Sequence, residues 1–154
     1  MEDIINRTDH EIKMKLTELE KQEIKKIGKK YNLKLIILHG SYATGKARTN
    51  SDLDIAIIGK KLIDFKKLAK IYSALSKVLG DNTKHELDIK TLNRADPLFY
   101  YHIAKYSELL YGSLLDYNEF RAYAFRSYYD SKDLFKLEGL LVSKFQNYLN
   151  KKYA

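Results

Sequence analysis

Two short apolar runs, Leu35-Ile36-Ile37-Leu38 and Asp52 to Ile58, flank a polar stretch, and the second carries aspartates at positions 52 and 54. Acidic residues are depleted in strands, so a segment otherwise built of Leu, Ile and Ala has no structural use for two of them. The first run is continuous and ends at His39-Gly40-Ser41, which predicts a strand buried on both faces and then broken sharply by glycine. In the second, side chains two apart point the same way, about 6.6 Å from each other along the strand. Asp52 and Asp54 therefore project side by side while Leu53 and Ile55 enter a core.

The remaining chain supplies helices and a third strand. Between Thr8 and Tyr31 apolar residues return at helical spacing, and two capping boxes, Thr8 with Glu11 and Thr17 with Glu20, compete for the helix start. Helical spacing resumes from Phe65 to Leu79 and closes at Gly80. Glu86 to Leu92 alternates, with Leu87, Ile89 and Thr91 on one face and Glu86, Asp88 and Lys90 on the other, so it is a strand. Asp96-Pro97 opens a helix to about Lys105, and Glu108 to Tyr111 is a short strand before Gly112. From Asp116 the pattern is helical to the end, with a break or bend expected near Tyr129 to Lys132. Leu134, Leu137, Leu141, Phe145 and Tyr148 are expected to form an inward stripe. This order indicates one α/β domain over residues 1–154, with 1–16 a possible N-terminal extension and 116–154 a helical C-terminal part.

Composition narrows the chemistry. The chain has 154 residues and no cysteine, which excludes a zinc ribbon, a disulfide scaffold and a cysteine nucleophile. A reducing, cytoplasmic compartment fits. No window has the length and apolarity of a membrane span, and Met1 to Leu19 lacks the apolar core of a signal peptide. The 28 Lys and Arg against 20 Asp and Glu give a net charge of +8, which by itself invites a nucleic-acid reading. Lysines interleave with glutamates, as in Glu18 to Lys30, and a solvated helix face looks the same.

The chemistry concentrates in Gly40 to Asp54. Asp88 on the third strand also lies opposite core residues, and strand pairing can bring it beside Asp52 and Asp54. Three anions in one cleft raise one another's pKa values or require a cation, and hard oxygen ligands favour Mg²⁺ or Mn²⁺. At the other end Gly40 lets backbone approach a ligand, and a helix starting at Ser41 would present free amides to a phosphate. Gly-Ser before a helix is by itself usually a turn, and Asp-x-Asp is common in loops; the conjunction on a buried strand is the informative feature. Carboxylate-held metal beside a phosphate site is what nucleotidyl transfer requires, because its barrier is lowered by positioning and charge neutralisation.

Gly40-Ser41, ten intervening residues and Asp52-Leu53-Asp54 together resemble the Gly-Ser-x10-Asp-x-Asp signature of the DNA polymerase beta nucleotidyltransferase superfamily. Ser51-Asp52-Leu53-Asp54-Ile55-Ala56 is similar to its core, and Leu87-Asp88-Ile89 to the strand with the third carboxylate. The small size resembles the minimal nucleotidyltransferases, specifically the MNT (MntA) antitoxins of type VII HEPN/MNT toxin-antitoxin pairs. Leu109 to Gly112 and Phe120 to Asp130 are similar to that group's closing strand and helix. The resemblance covers about residues 17 to 145.

The resemblance implies a small mixed sheet flanked by helices, two Mg²⁺ ions and ATP as co-substrate. Gly40 and Ser41 would hold the triphosphate, Asp52 and Asp54 would ligate both metals, and Asp88 would ligate the catalytic metal and help deprotonate the acceptor. The implied reaction is transfer of AMP from ATP to a tyrosine of the cognate HEPN ribonuclease toxin, releasing pyrophosphate and silencing it. Alternatives are a small hydroxyl compound or an RNA end as acceptor, or a non-catalytic binding antitoxin. Direct nucleic-acid binding and membrane attachment are not expected. His39, where the family often has an aromatic residue, reads as packed, and Lys46 and Arg48 read as exposed loop residues outside the site. The chain does not read as the toxin itself, whose closely spaced Arg and His have no counterpart: Arg94 and His102 are separated by seven residues, Pro97 among them. The 13 tyrosines suggest an aromatic surface for a partner, although tyrosines in α/β domains commonly just pack.

Overall fold

The computed structural model describes residues 14–82 and 85–153. Helix α1 spans Glu18–Lys30 and starts at the second of the two competing boxes: the Thr17 hydroxyl accepts from the Glu20 amide at 3.2 Å and the Glu20 carboxylate accepts from the Thr17 amide at 2.7 Å. The Thr8 and Glu11 box lies outside the described residues. Strand β1, Leu33–His39, leads into a five-residue helix α2, Gly40–Thr44, and then β2, Leu53–Gly59. Helix α3, Phe65–Leu79, is capped by Asp64 and ends at Gly80, where φ is +82°. Strand β3, Leu87–Thr91, is followed by α4, Pro97–Lys105, whose first turn carries Pro97 and is capped by Asp96. Strand β4, Ser107–Tyr111, and helix α5, Leu114–Tyr153, complete the order.

The sheet runs β3-β2-β1-β4, with β1 antiparallel to both neighbours and β2 parallel to β3 across the α3 crossover. The central β1 is buried on both faces, as its apolar run predicts: Leu35, Ile36 and Ile37 are fully covered. Ile36, Leu38, Ile55 and Ile57 pack toward α1 and α3 against Ile24 and Ile71. Leu35, Ile37 and Ala56 pack on the opposite face against Ile103, Phe120 and Ala124 of α4 and α5.

The C-terminal expectations fail in two respects. Helix α5 runs 40 residues without a break at 129–132. That segment contains neither Pro nor Gly, and Ser131 and Lys132 leave the backbone ladder intact. The stripe of Leu134, Leu137, Leu141, Phe145 and Tyr148 does not face inward, since each of these side chains is more than half exposed. Only the first part of α5, through Tyr117, Phe120 and Ala124, packs on the sheet. Leu19 of α1, which falls at the helical apolar spacing, also faces solvent. Among the described residues no helix is long and apolar enough to cross a membrane.

Candidate active site

The face of the sheet that α4 and α5 cover is apolar at one end and polar at the other. Register decides this: His39 of β1 pairs with Asp54 of β2, and Asp54 pairs with Asp88 of β3. Directly paired residues share a face, so His39, Asp54 and Asp88 form a row across three strands, just beyond the buried level of Ile37 and Ala56. The parallel β2-α3-β3 unit sets this level, bringing together aspartates that are 34 positions apart. Asp52, one residue before β2, is exposed and acts on Asp54 through space.

Gly40 closes the row. Its φ of +72° lies in the left-handed region, and a Cβ built there would sit 2.1 Å from Asp54 Oδ2. The backbone bend after β1 thus passes directly over the Asp54 carboxylate, so glycine is required on two separate grounds. The helix begins at Gly40, one residue earlier than the sequence suggests, and no side chain caps it. At five residues it contributes a few free amides more than a dipole. Ser41 stands in its first turn, next to Gly40, and is half-buried. The Gly40-Ser41 end and the carboxylate end of the motif therefore meet in space.

Electrostatics single out Asp54. Burial raises its pKa above the ordinary carboxylate value, Asp88 and Asp52 raise it further, and Lys90 opposes them. His39 is pushed down to about 4, mainly by burial and then by Lys90, with Asp88 acting in the opposite sense. Its Nε2 is buried without a hydrogen-bond partner, and its ring meets Phe99 edge-on at 6.3 Å. It is a neutral, packed histidine, as the sequence reading has it.

Two contributors escaped sequence reasoning. Lys90, two residues beyond Asp88 on the same face, bonds the Asp88 carboxylate at 2.9 Å and lies over the Phe99 ring at 5.7 Å. Alternation placed it beside Asp88, and that was the available signal. His85 ties the loop to α2: Nδ1 lies 3.0 Å from the Ser51 carbonyl, to which it can only donate, and 3.2 Å from the Tyr42 hydroxyl. These contacts fix the chain immediately before Asp52, and nothing in a linear reading links Tyr42 with His85. Lys46 and Arg48 remain exposed on the loop.

Among the described residues no three His, Cys, Asp or Glu side chains are gathered as a ready metal cage. The donor set nevertheless suits a hard divalent cation. Asp54 and Asp88 are adjacent, the charges of Asp88 and Asp52 both act on Asp54, and a lysine already supplies positive charge to Asp88.

Residues 22–114 match the family model described as "Polymerase beta, Nucleotidyltransferase". No curated protein matches the sequence. Among solved structures the chain is similar to one in a crystal structure of a toxin-antitoxin with AMP-PNP, at 22% identity and a TM-score of 0.64, covering 82% of this chain and 98% of that one. It is similar also to a chain of the tri-AMPylated Shewanella oneidensis HEPN toxin in complex with MNT antitoxin, at 20% identity and a TM-score of 0.60, covering 83% and 97%. A chain of the MntA-HepT toxin-antitoxin complex aligns at 20% identity and a TM-score of 0.60, covering 84% and 99%. At these identities the likeness shows a shared fold.

Proposed function

The chain belongs to the polymerase beta nucleotidyltransferase family, and from that premise we propose that it is the antitoxin of a HEPN/MNT pair, transferring AMP from ATP to a tyrosine of its partner ribonuclease. The observation that carries the reading is the level row of Asp54 and Asp88 with Gly40 folded over Asp54. In this reading the backbone amides of the Gly40 turn would meet the phosphates beside the paired carboxylates. The shared fold with chains of toxin-antitoxin complexes, one with AMP-PNP and another with an AMPylated toxin, supports the choice of acceptor class.

In the proposed reaction the acceptor oxygen bonds to the α-phosphorus of ATP, the bond from that phosphorus to the bridging oxygen breaks, and pyrophosphate leaves with the electron pair. Asp52, Asp54 and Asp88 would hold Mg²⁺, which when bound neutralises phosphate charge and acidifies the acceptor hydroxyl. Gly40 and Ser41 bind the triphosphate and keep its backbone approach open. Asp88 sits at the solvent-facing side of the row and takes up the hydroxyl proton, being half-exposed where Asp54 is more enclosed. His39 ends the row at β1 and packs edge-on against Phe99 of α4. The AMP group would add bulk and negative charge to the partner's RNA-binding site.

Pyrophosphate release tests this directly. With ATP and Mg²⁺ it should depend on the presence of the proposed HEPN partner. Release that is equally fast with aminoglycosides or RNA ends and indifferent to the toxin would reassign the acceptor.

A further inference from the structure

From Lys132 to Tyr153 helix α5 runs clear of the body, with only Phe135 and Leu149 partly covered. Its last aromatic attachment to the body is Tyr128, which stacks on Tyr101 of α4 at 3.9 Å; beyond it Phe135 touches only Tyr128 of the same helix, at 6.2 Å. A helix extending about 33 Å from a domain gains nothing from packing there, although most helical stability in proteins comes from packing an amphipathic face. One face is nonetheless strongly apolar. Leu134, Leu137, Leu141, Phe145 and Tyr148 fall within about 40° of a line through Leu141 at 100° per residue, and each is more than half exposed.

The pattern is symmetric about Leu141. Successive steps along the stripe are three, four, four and three residues, and Leu140 and Val142 widen it equally on either side. A second copy laid antiparallel sets Leu134 level with Tyr148 and Leu137 level with Phe145, while Leu141 meets its own counterpart. Charge agrees. Asp130 and Asp133 lie at one end of the stripe and Lys151 and Lys152 at the other, so antiparallel pairing puts the acidic end of each copy against the basic end of its mate. Parallel pairing in register would oppose like charges.

We propose that this half of α5 is a homodimer surface, in which two copies of the chain pair antiparallel about a two-fold axis at Leu141. The interface is isologous, and it leaves the two Asp54-Asp88 rows at opposite ends of the helix pair, each open to its own acceptor. The proposal stands on the sequence and exposure of α5 and is independent of the reaction assigned to the site.

Sedimentation equilibrium of the full chain without any partner should read twice the chain mass, and Leu141→Glu should read the single mass while the body keeps its cooperative unfolding. Asp130→Lys with Asp133→Lys should weaken the dimer at least tenfold, and adding Lys151→Asp with Lys152→Asp in the same chain should restore it. The absence of cysteine makes orientation readable. Mixed Leu134→Cys and Tyr148→Cys chains should oxidise predominantly to the mixed disulfide. A monomeric wild type overturns the proposal. Predominant Leu134→Cys self-crosslinking overturns the antiparallel arrangement.

Discussion

Replacing Gly40 by alanine should separate two costs that the bend after β1 combines. The first is conformational: a Cβ at φ +72° costs about 1–2 kcal/mol in the left-handed region. For a chain of this size that lowers the melting temperature by roughly 2–8 °C. The second is steric. The new Cβ would lie 2.1 Å from Asp54 Oδ2, more than 1 Å inside ordinary contact, so the carboxylate must swing away. Displacing a positioned group by that much costs on the order of 100-fold in rate. Gly80→Ala is the matched control, because Gly80 has a φ of +82° with nothing within 4 Å of its Cβ position. It should lose comparable or somewhat greater stability and no transfer activity. Denaturant unfolding and AMP transfer, measured on both variants, read the two costs separately. Gly40→Ala with undiminished transfer, or Gly80→Ala with equal loss of it, would refute the idea that Gly40 keeps the Asp54 carboxylate in place.

Three further outcomes follow from the electrostatics. His39 is neutral in the fold with its pKa near 4, so below about pH 6.5 the unfolded chain binds the proton first. Stability present above that pH is then lost as the pH falls toward 4, on the order of 2 kcal/mol after allowing for screening, and His39→Phe should flatten this part of a urea-denaturation pH series. Asp54 has a raised pKa, so its ionised form costs stability once the pH exceeds the unfolded carboxylate range. Asp54→Asn should raise the melting temperature of the metal-free chain at pH 7, with the gain vanishing at acid pH, while transfer is lost. Lys90→Met removes the cation on Asp88 and should lower metal-free stability, while enlarging the melting-temperature rise produced by Mn²⁺; an unchanged Mn²⁺ response would deny Lys90 its place as counter-ion.

The strands were legible because each has a local signature: a continuous apolar run for β1, aspartates in an apolar segment for β2, strict alternation for β3. Asp52, Asp54 and Asp88 were legible as candidates for the same reason. Their relation in space was less so, since the level pairing of Asp54 with Asp88 is a matter of register, set by the α3 crossover. The contact of Tyr42 with His85 spans 43 positions and leaves no periodic trace. Helix α5 shows the complementary limit. Spacing revealed that Leu134 to Tyr148 forms an apolar face, but amphipathicity cannot say whether the surface that covers it belongs to the same chain. The expected break at Tyr129 to Lys132 does not occur, because that segment holds neither Pro nor Gly to remove a backbone hydrogen bond.

The central claim is that the Asp54-Asp88 row moves AMP onto a partner protein. The most direct measurement incubates the purified chain with α-labelled ATP, Mg²⁺ and the proposed HEPN partner, and follows label on the toxin by gel and its position by mass spectrometry. Label on a toxin tyrosine with the wild-type chain, and none with a folded Asp88→Asn variant, is the predicted result. An unlabelled toxin that is nonetheless silenced equally by the wild type and by Asp88→Asn would contradict it, leaving the chain an antitoxin that works by binding alone.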